Sequence, residues 1–132
     1  RQMCIRDSGD PLDVLLLLDR DLYPGIMAKV RPVGVLKMLD EAGGDDKVVA
    51  VLAKDPRWEH IQDVGDLDEW TKGEITHFFE HYKDLEPNKW VKIDQWGDAA
   101  EAERLVGEAF ERFQAEGAQT ATQGEGHAPK TI

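Results

Sequence analysis

Three short apolar runs constrain the fold of this chain most strongly. Residues 12–18, 26–39 and 48–52 are rich in Leu, Ile and Val, and Pro, Gly or Asp bounds or interrupts each run. Runs of this length predict strands, although periodicity alone does not exclude a helix at residues 12–18. Gly43 and Gly44 separate the last two runs and favour a turn, so we expect a hairpin with an acidic loop.

The second half of the chain has helical periodicity. Thr71 and Glu74 have the spacing of a capping box. Apolar side chains then recur on one helix face at Ile75, Phe78, Phe79 and Tyr82. Residues 89–93 alternate like a short strand, and Asp98 and Glu101 resemble the cap of a second helix.

Composition limits the classes of function. The 132 residues are 41% apolar, which suffices for one domain with a real core. The 27 acidic residues outnumber the 16 basic ones, and the net charge of −11 argues against binding nucleic acid or anionic lipid through bulk charge. The longest purely apolar run, residues 14–18, is too short to cross a bilayer. A single cysteine, Cys4, excludes an internal disulfide and fits a reducing cytosol.

Two acidic segments are candidates for metal binding. Asp10 and Asp13 flank Pro11 at the start of the first apolar run, and Asp40 and Asp45 lie in the acidic loop. If the segments lie side by side, four carboxylates converge, and their repulsion requires cations between them. Mg²⁺ suits such hard oxygen ligands. Each cluster taken alone favours a solvated loop over a metal site, and together the residues leave both interpretations open.

Two lysines and a tyrosine are similarly ambiguous. Lys47 follows the acidic loop, where it pairs with Asp45 or Asp46 or points at an anionic substrate. Tyr82 ends the apolar face of the first helix, where it either packs against the core or binds a ligand. Lys83 follows it near the end of the helix, where it either interacts favourably with the helix dipole or binds a ligand.

Three segments together resemble the soluble family I inorganic pyrophosphatases. Residues 10–13 (Asp-Pro-Leu-Asp) look like the end of the family signature Asp-x-Asp-Pro-x-Asp. Residues 31–34 followed by 40–47 look like its second metal-binding stretch, and residues 77–87 look like its substrate-binding helix and turn. The resemblance extends over residues 9–113, and the acidic loop is most similar to that of actinobacterial members.

The resemblance implies a fold and an activity. The expected fold is α+β, a small β-barrel of the oligonucleotide/oligosaccharide-binding (OB) type with flanking α-helices. The expected reaction is Mg²⁺-dependent hydrolysis of inorganic diphosphate to two phosphates in the cytoplasm, by a homohexamer and without a nucleic-acid or membrane partner.

The resemblance also assigns roles to single residues. The metal ligands it implies are Asp13, Asp40 and Asp45. The groups it places on phosphate oxygens are Lys47, Tyr82 and Lys83. The residue that orients or deprotonates the attacking water is Asp10 or Asp45, and this choice stays open.

The chain departs from the family at its start. Ser8 stands where the signature has its first Asp, and the family's upstream strands have no counterpart. We therefore interpret residues 1–8 as a foreign start, residues 9–114 as an N-terminally truncated pyrophosphatase domain lacking its first strands, and residues 115–132 as a disordered tail. Weak or absent activity is expected, and the alternative is a non-catalytic acidic fragment that binds divalent metal.

Overall fold

The chain folds into one sheet and two helices. The computed structural model describes residues 2–5, 12–21, 23 and 25–123, with the backbone alone over 2–5 and 116–123. The elements in chain order are β1 (Gln2–Ile5), β2 (Leu12–Leu16), β3 (Val30–Asp40), β4 (Gly43–Gly44), β5 (Lys47–Leu52), α1 (Glu69–His81), β6 (Val91–Gly97) and α2 (Ala99–Gln123). Residues 26–29, which were predicted as strand, precede β3 as irregular chain.

The strands form an open sheet in the order β1-β2-β5-β3-β4, with β6 also paired to β3. β2 and β5 are parallel, and the other pairs are antiparallel. Within the part of the chain that is described, β1 pairs with β2 alone and β6 with β3 alone, so the barrel does not close. The α+β class is confirmed, with an open sheet in place of a closed barrel.

β3 is one bent strand that carries neighbours on both sides. It pairs with β5 over its first part and with β6 over its second, and the β5 register shifts between Pro32 and Gly34. A Cβ at Gly34 would lie 3.1 Å from the Cβ of Val64 and 3.3 Å from the carbonyl oxygen of Gly97. A glycine here therefore permits the close approach of two neighbouring segments.

Both faces of the sheet are covered. Val48 and Ala50 of β5 pack in a cluster that includes Ala102 and Ala109 of α2. Val49 and Val51 pack on the opposite face, where Ile61 and Leu67 join the cluster. Because neighbouring residues of a strand point to opposite faces, a strand buried on both sides becomes continuously apolar.

α1 begins one turn earlier than the sequence predicts. Its N-cap is Asp68, whose carboxylate accepts hydrogen bonds from Thr71 N at 2.7 Å and Thr71 Oγ1 at 2.9 Å. Thr71 is therefore a donor in the first turn and not the cap. Glu74 accepts a bond from Trp70 Nε1 at 2.8 Å, so it takes no part in a capping box.

α2 begins as predicted and ends later. Asp98 caps it by accepting a hydrogen bond from Glu101 N at 2.9 Å. The helix continues to Gln123, nine residues into the predicted tail, and residues 124–132 lie outside the described ranges. Ala, Glu and Gln are good helix formers, so a helix can continue here without an apolar stripe.

β1 lies within residues 1–8, and its backbone pairs antiparallel with β2. The foreign origin of this segment stays a prediction. Among the described helices, none is long and apolar enough to cross a membrane.

Candidate functional site

Lys47 is the centre of the candidate site. It is the first residue of β5, it is 2% exposed, and it stands opposite Asp13 in the parallel pairing of β5 with β2. Its Nζ donates to Asp13 Oδ2 and, at 2.6 Å, to Asp45 Oδ1. The structure thus brings together three residues that the sequence had selected from two separate segments.

The acidic loop is folded so that Asp45 reaches Lys47. Asp45 N donates to Met38 O at 2.9 Å, and Asp46 Oδ1 accepts a bond from Met38 N at 3.2 Å. The Asp46 side chain is therefore occupied by the backbone of β3. Of the two acids that the sequence offered as partners of Lys47, the structure selects Asp45.

Asp40 belongs to a second ion pair. Lys83 Nζ donates to Asp40 Oδ2 at 2.7 Å and lies 3.5 Å from Glu41 Oε1. Asp40 Oδ1 also accepts a bond from Ala42 N at 2.9 Å, which fixes the carboxylate at the end of β3. Lys83 comes directly after Tyr82, the C-cap of α1, so the end of this helix is tied to the acidic loop.

The predicted metal ligands do not form one cluster. Asp13 and Asp45 share the ammonium of Lys47, whereas Asp40 bonds Lys83. Within the described ranges, no three Asp, Glu, His or Cys side chains are grouped as a metal site. Asp10, the other predicted catalytic residue, lies outside those ranges.

Two aromatic rings at the C-terminal end of α1 link the ion pairs. The ring of Phe79 is 1% exposed, and its centroid lies 5.8 Å from Lys47 Nζ. Tyr82 packs edge-on against Phe79 at 5.6 Å between centroids, and Lys83 Nζ lies 5.5 Å from the centroid of Tyr82. Both cations therefore lie within cation–π range of a ring from one end of one helix.

Sequence reasoning missed Phe79 and Glu41 as members of this site. The spacing of Phe79 showed only an apolar helix face, because contact with Lys47 depends on how α1 packs against β3 and β6. Glu41 lies beside Asp40 in the acidic loop, and its adjacency to a selected acid was the available signal. It contacts Lys83, and its Oε2 accepts a bond from Trp90 N at 3.4 Å.

The local charges set the protonation of the site. Burial by itself would lower the pKa of Lys47, but its hydrogen bonds from Nζ to Asp13 and Asp45 raise that pKa above the ordinary value. Lys83 behaves likewise, because its bond to Asp40 outweighs desolvation and raises its pKa. The same bond lowers the pKa of Asp40, and burial raises that of the Tyr82 hydroxyl. Near neutral pH both lysines are charged, Asp40 is ionised and Tyr82 is a proton donor.

The Asp13–Asp45 pair fits a divalent cation of the magnesium type. Both carboxylates approach one nitrogen, so they converge on a point that already holds positive charge. Mg²⁺ usually binds through one or two carboxylates, several waters and substrate phosphate, and this donor set supplies the two carboxylates. Asp40 is a third hard oxygen donor at the other end of the loop.

Known proteins are similar to this chain in sequence and in fold. A family model described as inorganic pyrophosphatase matches residues 3–114. An inorganic pyrophosphatase of Leifsonia xyli subsp. xyli is 63% identical over 111 residues, covering 84% of this chain and 68% of the relative. One of Corynebacterium efficiens is 51% identical over 109 residues, covering 83% and 68%.

Solved structures agree with these relatives. The inorganic pyrophosphatase of Thermus thermophilus has a TM-score of 0.76 and 48% identity, covering 84% of this chain and 65% of that one. The one from Helicobacter pylori has a TM-score of 0.76 and 41% identity, covering 84% and 66%. The chain thus spans about two thirds of the length of these four relatives. By sequence and by fold, this chain belongs to the inorganic pyrophosphatase family.

Proposed function

We propose that this chain carries a metal- and phosphate-binding face of an inorganic diphosphatase, which hydrolyses diphosphate to two phosphates with Mg²⁺. The observation that carries the proposal is the enclosure of Lys47 between Asp13 and Asp45. It places two hard oxygen ligands beside a buried cation, which is the combination needed to hold both a metal ion and an anion.

The side chains divide into metal ligands and phosphate ligands. In this proposal Asp13 and Asp45 hold Mg²⁺, and Asp40 holds a further ion. Bound Mg²⁺ supplies Lewis-acid stabilisation of the negative charge on the phosphoryl oxygens. The groups that bind the phosphate oxygens are Lys47, Lys83 and Tyr82. The two lysines are charged and the phenol is protonated, so all three donate hydrogen bonds to an anion.

Either Asp10 or Asp45 accepts the proton of the attacking water. Asp45 accepts a hydrogen bond from Lys47, which orients its carboxylate. Asp10 is assigned by the family signature. The pH–rate profiles of Asp10→Asn and Asp45→Asn separate the two, because loss of the base removes the acidic limb of the profile.

A second candidate function is non-catalytic binding of divalent metal. The observation that favours it is Ser8, which stands in place of the first Asp of the family signature. A neutral hydroxyl is a weaker ligand than a carboxylate for a hard dication, so we propose that hydrolysis by this chain is slow.

Phosphate release from diphosphate in the presence of Mg²⁺ tests the proposal. The test variant is Asp45→Asn, and the matched control is Asp46→Asn, which keeps an oxygen acceptor for Met38 N. Mg²⁺-dependent release that falls in Asp45→Asn and persists in Asp46→Asn is the expected result. Binding of Mg²⁺ without any release supports the second candidate. Release that is indifferent to Asp45→Asn contradicts the site.

We also propose a homohexamer in the cytoplasm, and this rests on the family resemblance. Sedimentation velocity tests the assembly. The net charge of −11 supports the absence of nucleic-acid and anionic-lipid partners.

A further inference from the structure

We propose that Lys47 is an internal counter-ion of Asp13 and Asp45, which a divalent cation displaces toward the substrate phosphate. Metal binding and phosphate binding would then be coupled through this one side chain. The inference rests on the proposed function and adds to it an order of events in which metal binding makes the lysine available.

Lys47 is the counter-ion that Asp13 and Asp45 share when no metal is bound. Asp13 and Asp45 both accept hydrogen bonds from its Nζ, and the lysine side chain is only 3% exposed. Two carboxylates that converge in a partly desolvated site repel each other, and the ammonium between them offsets that repulsion. The ammonium thus compensates one of the two negative charges without a metal ion, and the other remains.

The ammonium and a dication compete for the same oxygens. Asp13 Oδ2 and Asp45 Oδ1 are the atoms that Lys47 contacts, and they belong to the two carboxylates that the proposed function assigns to the metal ion. A dication on these atoms would lie a few ångströms from a like charge in a poorly screened environment. Metal binding therefore requires Lys47 to withdraw from both carboxylates.

The withdrawn ammonium stays within the phosphate-binding face. The ring of Phe79 lies 5.8 Å from Nζ and offers a cation–π surface that does not depend on the carboxylates. Lys47 also lies within electrostatic reach of Tyr82, since burial raises the pKa of that phenol and the charge of Lys47 opposes the rise. Anionic phosphate beside Tyr82 is then a new partner for the released ammonium.

Linkage makes the coupling measurable. If metal frees Lys47 for phosphate, then phosphate tightens the binding of metal by the same factor. Inorganic phosphate is the probe for this step, because it carries the charge of the product and undergoes no hydrolysis.

Calorimetric titration of the full chain with Mg²⁺, with and without inorganic phosphate, tests the proposal. Lys47→Met removes the competing charge, so we expect it to bind Mg²⁺ about tenfold tighter than the unsubstituted chain without phosphate. We also expect phosphate to tighten Mg²⁺ binding more in the unsubstituted chain than in Lys47→Met, where only the direct contact between metal and phosphate couples the two ligands. Lys37→Met is the matched control, because Lys37 lies on β3, pairs with Glu101 of α2, and its loss changes the net charge equally.

Several outcomes overturn the proposal. Mg²⁺ affinity that is unchanged or weaker in Lys47→Met would do so, as would phosphate coupling that is as large in Lys47→Met as in the unsubstituted chain. An equal gain of Mg²⁺ affinity in Lys37→Met would show that the gain arises from the change in net charge and not from Lys47 itself. Absence of Mg²⁺ binding to either protein also overturns it.

NMR of the unsubstituted chain avoids any folding defect of the variant. The ε-methylene protons of Lys47 lie near the ring of Phe79, so withdrawal of the ammonium must change their chemical shift. We expect that shift to move with Mg²⁺ alone and again with phosphate. A Lys47 signal that stays fixed while the Asp13 and Asp45 amides respond to Mg²⁺ overturns the inference. Neither measurement uses hydrolysis, so a chain that shows the coupling but releases no phosphate contradicts the proposed function alone.

Discussion

Lys47 and Asp13 face each other across the parallel pair of β5 and β2, and an ion pair joins their side chains. This pairing connects the first acidic segment of the sequence to the second. It is also where the charge of the site is buried most deeply, because Lys47 is 2% exposed.

Asp13→Ala should destabilise the chain more than the loss of an ordinary surface acid. The variant leaves a buried ammonium with one carboxylate in place of two, so the free energy of unfolding should fall by about 1–3 kcal/mol. Asp19→Ala is the control, since Asp19 is 46% exposed and lies 3.4 Å from an equally exposed Arg57. The free energy of unfolding of Asp19→Ala, measured with urea in the absence of metal, should stay within about 0.5 kcal/mol of that of the unsubstituted chain. Equal losses in both variants would show that the Lys47 pair does not stabilise the fold.

Adjacent phenylalanines of α1 should differ sharply in their contribution to stability. Phe79 is 1% exposed and packs with Leu36, Met38 and Ile75, whereas Phe78 is 56% exposed. Phe79→Ala should cost about 3–5 kcal/mol, as expected for a cavity in a core. Phe78→Ala should cost less than about 1 kcal/mol, because most of its ring surface stays in water. Thermal or urea unfolding of the two variants measures this difference in stability. A similar loss of stability in both variants would mean that α1 is rotated about its axis.

This pair of residues also shows where the sequence stops being informative. Helical spacing placed Ile75, Phe78, Phe79 and Tyr82 on one face, and the helix exists. An amphipathic stripe is wider than the line of contact with the sheet, so spacing alone does not separate the buried Phe79 from the exposed Phe78. Which edge of the stripe is buried depends on how α1 packs on β3 and β6.

The site was predictable in its components and not in its pairing. Asp13, Asp45 and Lys47 were recognised from local pattern and family resemblance. Their convergence depends on the register of β2 against β5, two strands that are distant in sequence, and no local pattern fixes that register. The separation of Asp40 from the other acids also depends on a contact between segments distant in sequence, because Asp40 pairs with Lys83 at the end of α1.

The cap of α1 was placed wrongly for a local reason. Both Asp68 and Thr71 are good N-cap residues, and the capping-box spacing of Thr71 and Glu74 favoured Thr71. The structure uses Asp68 as the acceptor and Thr71 as its donor. Two acceptable caps one turn apart cannot be ranked without knowing where the sheet requires the helix to begin.

Gly97→Ala should destabilise the junction of β6 and β3. A Cβ at Gly97 would approach Val35 Cγ1 to 2.7 Å, inside the core that α2 covers. Overpacking of this kind costs about 1–3 kcal/mol. Gly107→Ala in α2 is the matched control, because its added Cβ meets nothing within 4 Å apart from its chain neighbours and the nearby backbone of its own helix. That helical substitution should stabilise the chain by up to about 1 kcal/mol, so urea midpoints should move in opposite directions. A Gly97→Ala midpoint at or above that of the unsubstituted chain would contradict the packing.

Part of the acid sensitivity of the fold should trace to Asp68. Hydrogen bonds from Thr71 hold the pKa of this carboxyl below its ordinary value of 3.8. Because the folded pKa is the lower one, the cap contributes stability above pH 3.8 and loses it as the pH falls through the folded pKa. Asp68→Asn keeps an acceptor oxygen and does not titrate. The difference in melting temperature between the unsubstituted chain and Asp68→Asn should therefore be largest near neutral pH and shrink toward pH 2. A difference that is constant over this range would remove Asp68 as a source of acid sensitivity.

Ser8→Asp should raise hydrolytic activity. Ser8 stands where the family signature has its first Asp, so the variant restores a charged oxygen ligand for the metal. Changes around a metal site commonly alter activity by 10- to 100-fold, and we expect a gain of about tenfold or more in Mg²⁺-dependent phosphate release from diphosphate. Ser8→Asn is the control, because it adds a similar side chain without the charge. The gain should be absent there and should disappear when Asp45→Asn is combined with Ser8→Asp. Equal rates for Ser8→Asp and Ser8→Asn would mean that the signature position does not contribute a ligand in this chain.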